Sequence, residues 1–240
     1  PADNVSQGCR ESVFCARPSL DAKWVSSWAE TVDYYEPDSV IRAARLMAEA
    51  AADMPANANF RYDLVDITRQ AVAERARLVY NEIVAAYKAH DRKMFRHTTQ
   101  RFLSLLLQQD RLLSSVPDFM VGRWIKQARS IATTQAEADH YEWNARTQIT
   151  VWGNRQAAEQ GGLREYAHKE WNGVLADFYY PRWKAYFEAL AATLDGKPMK
   201  QLDFYAMDEK WTLQHNVYPY EAQGDAVDYA KTAFDNVFGK

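Results

Sequence analysis

From about residue 38 to the end of the chain, apolar residues recur every three to four positions, the spacing of a helix that buries one face. No period-two run bounded by turn residues interrupts this pattern, so the sequence predicts an all-α fold. The first helix follows "EPDS", with Asp38 as cap after Pro37 and Val40, Ala44, Met47 and Ala51 on one face, and Pro55 ends it. A long second helix is expected from Asn59 as cap, with a stripe of Phe60, Leu64, Ile67, Ala71, Val79 and Ile83, and Asp91 closes it. The third turns Phe95, Phe102, Leu105, Leu106, Leu112 and Leu113 inward, and the chain restarts at Asp118 for a fourth carrying Phe119, Trp124, Ala128 and Ile131. In the fifth, Thr134 caps the start, Glu137 completes a capping box, and Gly153 is the stop. A sixth helix is expected from about Leu163 to Tyr180, because Pro181 disfavours helical geometry in the residue before it. Pro181 then opens the next helix, which Gly196 closes, and two shorter helices follow near 201–214 and 225–238.

The pattern therefore predicts a single irregular bundle of eight or nine helices over 37–240, since no linker or shift in composition divides it. Residues 1–36 break the periodicity. With "RPSL", Trp24, Trp28 and "DYYEP", they read as an extended strap that needs a surface to order it and that links to something preceding the bundle.

Composition adds a core and removes some partners. A chain of 240 residues with 8 Trp, 14 Tyr and 10 Phe can build a sizeable aromatic core. The 29 Lys and Arg nearly balance 32 Asp and Glu without a like-charged block, which argues against a nucleic-acid partner. No apolar run is long enough to span a bilayer, which argues against a membrane one. Starting at Pro1, the chain reads as a processed product or an excised piece. Cys9 and Cys15 lack zinc spacing, and they could pair only if the strap folded back. Asn4 opens a lone glycosylation sequon.

Candidate chemistry is sparse. Two Glu-x-x-His pairs, Glu137 with His140 and Glu165 with His168, have the spacing of di-metal bundle ligands, and Glu74 and Glu82 could complete the set. Capping by Glu137 and the charged flanks favour a solvated helix face instead, so no metal or other cofactor is assigned. A nucleophile elbow and a phosphate-cradling glycine loop are both missing. What remains is a set of aromatics near helix ends: Trp152, Trp171 and the run from Phe178 to Trp183. Core packing is the ordinary fate of each. Trp152 fits it least, because an indole beside Gly153 faces a polar loop, and flat aromatic faces suit the apolar faces of sugar rings.

Six segments then carry a resemblance. "RPSL" (Arg17 to Leu20), "FRYDLVDITRQ" (Phe60 to Gln70), "GRWIKQAR" (Gly122 to Arg129), "AEADHYEWNARTQITVWG" (Ala136 to Gly153), "WNGVLADFYYPRW" (Trp171 to Trp183) and "GDAVDYAKTAF" (Gly224 to Phe234) occur in this order. They resemble the C-terminal helical domain of the α-N-acetylglucosaminidase family of glycoside hydrolases, over nearly the whole chain from Glu11. The resemblance implies a parent enzyme with a small N-terminal domain and a (β/α)8 barrel, which releases terminal α-linked N-acetylglucosamine from glycans with retention. Its two catalytic carboxyls are barrel glutamates, so no residue of this chain inherits a catalytic role. The helical domain docks on the barrel and closes one wall of the sugar pocket, with Trp152 bordering the sugar and Tyr179 a second candidate. Arg61 and Asp63 set the start of their helix. An extracytoplasmic setting is also implied, periplasmic or secreted in a bacterium and lysosomal in an animal. An oligomer is compatible with it. Two departures bear on the pocket: His168 stands where the family commonly has Asn, and the loop after Gly153, "NRQAAEQGG", is longer than usual. The competing reading is a non-catalytic helical interaction module.

Overall fold

A computed structural model describes residues 12–22, 35–54 and 57–239. Among them are eight α-helices: α1 (Pro37–Ala50), α2 (Ala58–Lys88), α3 (Arg92–Leu113), α4 (Val121–Ser130), α5 (Gln135–Gln148), α6 (Tyr180–Leu194), α7 (Phe204–Thr212) and α8 (Ala226–Phe238). The described residues contain no strand, only an isolated bridge between Met120 and Asn172, as the all-α expectation requires.

Helix α2 is the spine, since α1, α3 and α8 all lie against it. Its cap lies two residues before the expected one: the Asn57 side chain, not that of Asn59, accepts from the Phe60 N–H. Likewise α1 is preceded by Glu36 at its cap position, and Asp38 sits in the first turn, where its charge suits the helix dipole. Both shifts follow from Pro and Asn fitting several positions at a helix start. The turn into α3 places His90 in the left-handed region (φ 55°), with its N–H on the Tyr87 carbonyl and the Asp91 N–H on that of Ala86. This satisfies the last carbonyls of α2 while Asp91 caps α3 through the Met94 N–H. Gly196 closes α6 in the same manner, as the sequence predicts.

All six apolar residues expected inside α3 are buried, and Phe102 lies against Phe14, Trp183 and Phe187 at the centre. Phe119 is buried in a 3-10 turn (Pro117–Phe119) ahead of α4, whereas Ile131 stands 74% exposed at its end. The strap does more than lie on a surface. Val13, Phe14 and Cys15 form a buried 3-10 turn inside the main core, and the Trp183 indole donates to the Phe14 carbonyl at 2.9 Å. Asn4, Cys9, Trp24, Trp28 and Pro55, and with Cys9 the question of pairing, lie outside the described residues.

Two expectations fail near the middle of the chain. The first is the stop of α5, which ends at Gln148 rather than at Gly153. Thr147, Ile149, Thr150 and Val151 are β-branched, and the hydroxyls of Thr147 and Thr150 bond back to the carbonyls of Trp143 and Arg146, which loosens the last turn. The second is the predicted sixth helix. Residues 163–172 are not helical, and helical backbone begins only at Val174, with a π-helical turn over Leu175–Tyr179 that runs directly into α6. Pro181 does not break it, because the Tyr180 N–H already reaches back five residues to Leu175, and the next residue has no N–H to place.

That helix start is capped from a distance. The Asp110 carboxylate on α3 accepts from the N–H groups of Gly173 (2.7 Å) and Ala176 (3.1 Å) and from the Asn172 side chain (2.8 Å). Asp110→Ala should cost about 2–3 kcal/mol, since three donors would lose their acceptor in a buried site. A urea melt that leaves the midpoint unchanged would show that water replaces the carboxylate.

Candidate functional site

The polypeptide between α5 and α6 carries two of the most exposed aromatic residues among those described, Trp152 and Tyr166. Trp152, not Gly153, takes the left-handed backbone (φ 62°), and its N–H bonds the Thr147 carbonyl at 2.8 Å. A bulky side chain in that region costs about 1–2 kcal/mol, so the surroundings must hold it there. The indole is 42% exposed and packs on Tyr166, itself 47% exposed, with ring centroids 5.2 Å apart at 47°. The two form an open corner. Beside it Tyr205 donates to the Gly153 carbonyl, and Arg155 lies over the Tyr205 ring while pairing with Asp203.

Tyr179 is elsewhere. It is 0% exposed, wedged between Phe178 and Arg182 in the core, and so presents no face to a sugar. Burial also pushes its hydroxyl well above the usual phenol range. Tyr179 lies in the π-helical turn, where Leu175, Phe178 and Tyr179 are all buried. Trp171 leans on Trp124, and Phe178 and Trp183 are core residues. Tyr166 was not singled out from the sequence. Its signal was its neighbour: Glu165 was placed on a solvated helix face, and in the structure it turns inward and leaves Tyr166 pointing out.

Under the corner lies a cluster of charges. Glu165 and Arg182, each 1% exposed, are in direct ionic contact, and Arg182 also meets Asp208 at 3.5 Å. Arg17 of the strap reaches Glu159 at 2.7 Å and Asp208 at 3.5 Å. Two guanidiniums thus face three carboxylates, and burial, opposed by Arg182, pushes the Asp208 carboxyl up to about 7. The sign follows. An unfolded aspartate titrates near 4, so the stability Asp208 contributes is complete below pH ~4 and is lost as pH rises through about 7. Asp110, raised by burial to about 6, acts in the same direction. The melting temperature should therefore fall between pH ~4 and ~7, and Asp208→Asn should flatten part of that slope. An unaltered slope in the variant would place the proton elsewhere.

The residues weighed as metal ligands are not brought together. Glu74 accepts from Tyr35 and Gln70, Glu82 and His140 are exposed, the Glu137 carboxylate accepts from Thr133 at the start of α5 while its N–H donates to the Thr134 cap, and Glu165 belongs to the charge cluster. A different trio does meet: Asp139, Glu142 and His215 place ligand atoms within 4.8 Å of one another. Its carboxylates already serve cations. Glu142 accepts from Arg146, Arg129 and His215, which together outweigh burial and hold its carboxyl below the usual range, and Asp139 accepts from Arg129. The trio borders a cavity of about 650 Å³ between α4, α5 and residues 215–220. Gly122 lets that segment approach, since a side chain there would meet the Pro219 carbonyl at 2.1 Å.

Comparison with known proteins adds the context. Residues 2–236 match the family described as the α-N-acetylglucosaminidase (NAGLU) C-terminal domain. The chain is 36% identical over 234 residues to α-N-acetylglucosaminidase of Homo sapiens, covering 95% of itself and 30% of that protein. Its fold matches a family 89 glycoside hydrolase from Clostridium perfringens in complex with PUGNAc, at a TM-score of 0.92 and 31% identity, over 97% of this chain and 27% of that one. A variant of that enzyme with two glutamates changed to glutamine, in complex with its substrate GlcNAc-alpha-1,4-galactose, matches at 0.91 and 32% identity, over 96% of this chain and 27% of that one. Fold and relatives place the chain among the all-α domains of glycoside hydrolases. It belongs to the α-N-acetylglucosaminidase C-terminal domain family, and it spans less than a third of the length of these relatives.

Proposed function

We propose that this chain is the helical part of a retaining α-N-acetylglucosaminidase, in which Trp152 and Tyr166 form one wall of the pocket for the terminal sugar. The observation that carries this reading is the exposed indole and phenol meeting at an open corner on a loop braced by buried ion pairs. Aromatic faces pack on the apolar face of a pyranose, and a phenol hydroxyl can meet a sugar hydroxyl. The relative solved with GlcNAc-alpha-1,4-galactose supports the substrate class.

Retaining hydrolysis needs a nucleophile and an acid/base carboxyl about 5–5.5 Å apart. Both belong to a (β/α)8 barrel outside this chain, and the enzyme works in an extracytoplasmic setting. Among the described residues no helix is long and apolar enough to cross a membrane. The barrel docks on the face that turns the Trp152 and Tyr166 corner towards its pocket. The isolated chain should therefore give no turnover of a chromogenic α-N-acetylglucosaminide. Turnover that copurifies with it would end this reading.

A further inference from the structure

Buried ion pairs are a poor means of stabilising a core, because desolvation offsets much of the Coulomb gain and apolar residues of similar volume often do as well. The Glu165 and Arg182 pair is fully buried, yet it sits at the edge of the core beneath an exposed loop. Its geometry shows what else it does. Glu165 has left-handed backbone (φ 56°), which a β-carbon disfavours, and His168 three residues on is also at positive φ (31°). The Glu165 N–H bonds the Thr150 carbonyl at 2.7 Å, two residues before Trp152, and the next side chain along is Tyr166. One residue thus ties both halves of the aromatic corner, through its backbone to the Trp152 side and through its carboxylate to α6. Packing alone would leave the loop free to slide, whereas a buried carboxylate in contact with a guanidinium holds the loop against α6, because parting them would strand both charges away from water.

We propose that Glu165 and Arg182 are positioning residues, an ion pair that holds the Trp152 and Tyr166 rings at the angle a sugar ring needs. The proposal rests on the wall reading above. Glu165→Gln is the informative change, because it removes the charge, keeps the shape, and leaves Arg182 with Asp208. In the full enzyme carrying this chain, KM for an aryl α-N-acetylglucosaminide should rise about tenfold with kcat within about twofold. Hydrogen exchange at the Trp152 and Glu165 amides should quicken about tenfold while the amides of α2 and α3 keep their protection. In a Trp152→Ala, Tyr166→Ala background the same change should alter KM by less than about twofold, since nothing remains to be positioned. An equal factor in both backgrounds, or unchanged exchange at the two amides, overturns the proposal. If the Trp152→Ala, Tyr166→Ala enzyme itself keeps normal kinetics, the wall reading fails, and exchange in Glu165→Gln separately decides whether the pair holds the loop. Should Glu165→Gln not fold, Glu165→Asp, which keeps the charge and shortens its reach by one carbon, is read by the same criteria.

Discussion

Replacing Trp152 by alanine in the full enzyme should lower kcat/KM for an α-N-acetylglucosaminide by about 100-fold, equivalent to about 2.7 kcal/mol of lost transition-state stabilisation. The size follows from what the indole offers. It is a rigid face, partly desolvated by Tyr166 before any sugar arrives, so little ordering remains to be done on binding. Truncation removes the stacking area and also the support of the Tyr166 ring. Stability should change little, because a side chain 42% exposed contributes modestly to the core, and relief of left-handed strain is small for alanine. Steady-state kinetics beside a thermal melt check both halves, and unchanged kinetics would return Trp152 to a packing role.

Arg182→Ala should have the largest effect on stability, a loss of about 3–5 kcal/mol. The substitution leaves Glu165 and Asp208 facing each other without their shared cation and removes the guanidinium that lies over the Phe178 and Phe204 rings. For a domain of this size that corresponds to a melting temperature lower by roughly 6–20 °C. Acid should soften the loss, since protonating the stranded carboxyls removes their repulsion. A calorimetric scan showing the same deficit at pH 4 and pH 7 would assign the damage to packing alone.

The helices were legible where one face of the sequence repeats without competition. The stripe of α2, the six buried residues of α3 and the Thr134 cap of α5 follow from spacing and local chemistry alone. Cap positions moved by two residues from Asp38 and from Asn59, since neighbouring Asn, Asp and Pro residues satisfy the same helix start about equally well. The loop between α5 and α6 was not legible, and its reason is tertiary. "LREYAHKEW" has helical charge spacing, but the buried Arg182 draws Glu165 out of that pattern, and an ion pair across 17 positions leaves no periodic trace. The same displacement hid Tyr166. The exposure of Trp152 was legible, because its discomfort beside Gly153 was local.

The buried turn of Val13 to Cys15 bears on where this unit can be cut. Helical periodicity draws the boundary near residue 36, and a fragment trimmed there would keep every named helix. It would also open a hole beside Phe102 and Trp183 and strip the Trp183 indole of its acceptor, as well as take Arg17 from the charge cluster. The smallest piece that can be expected to fold therefore begins upstream of its first helix, and trimming for crystallisation or expression has to spare a segment that no helical pattern marks.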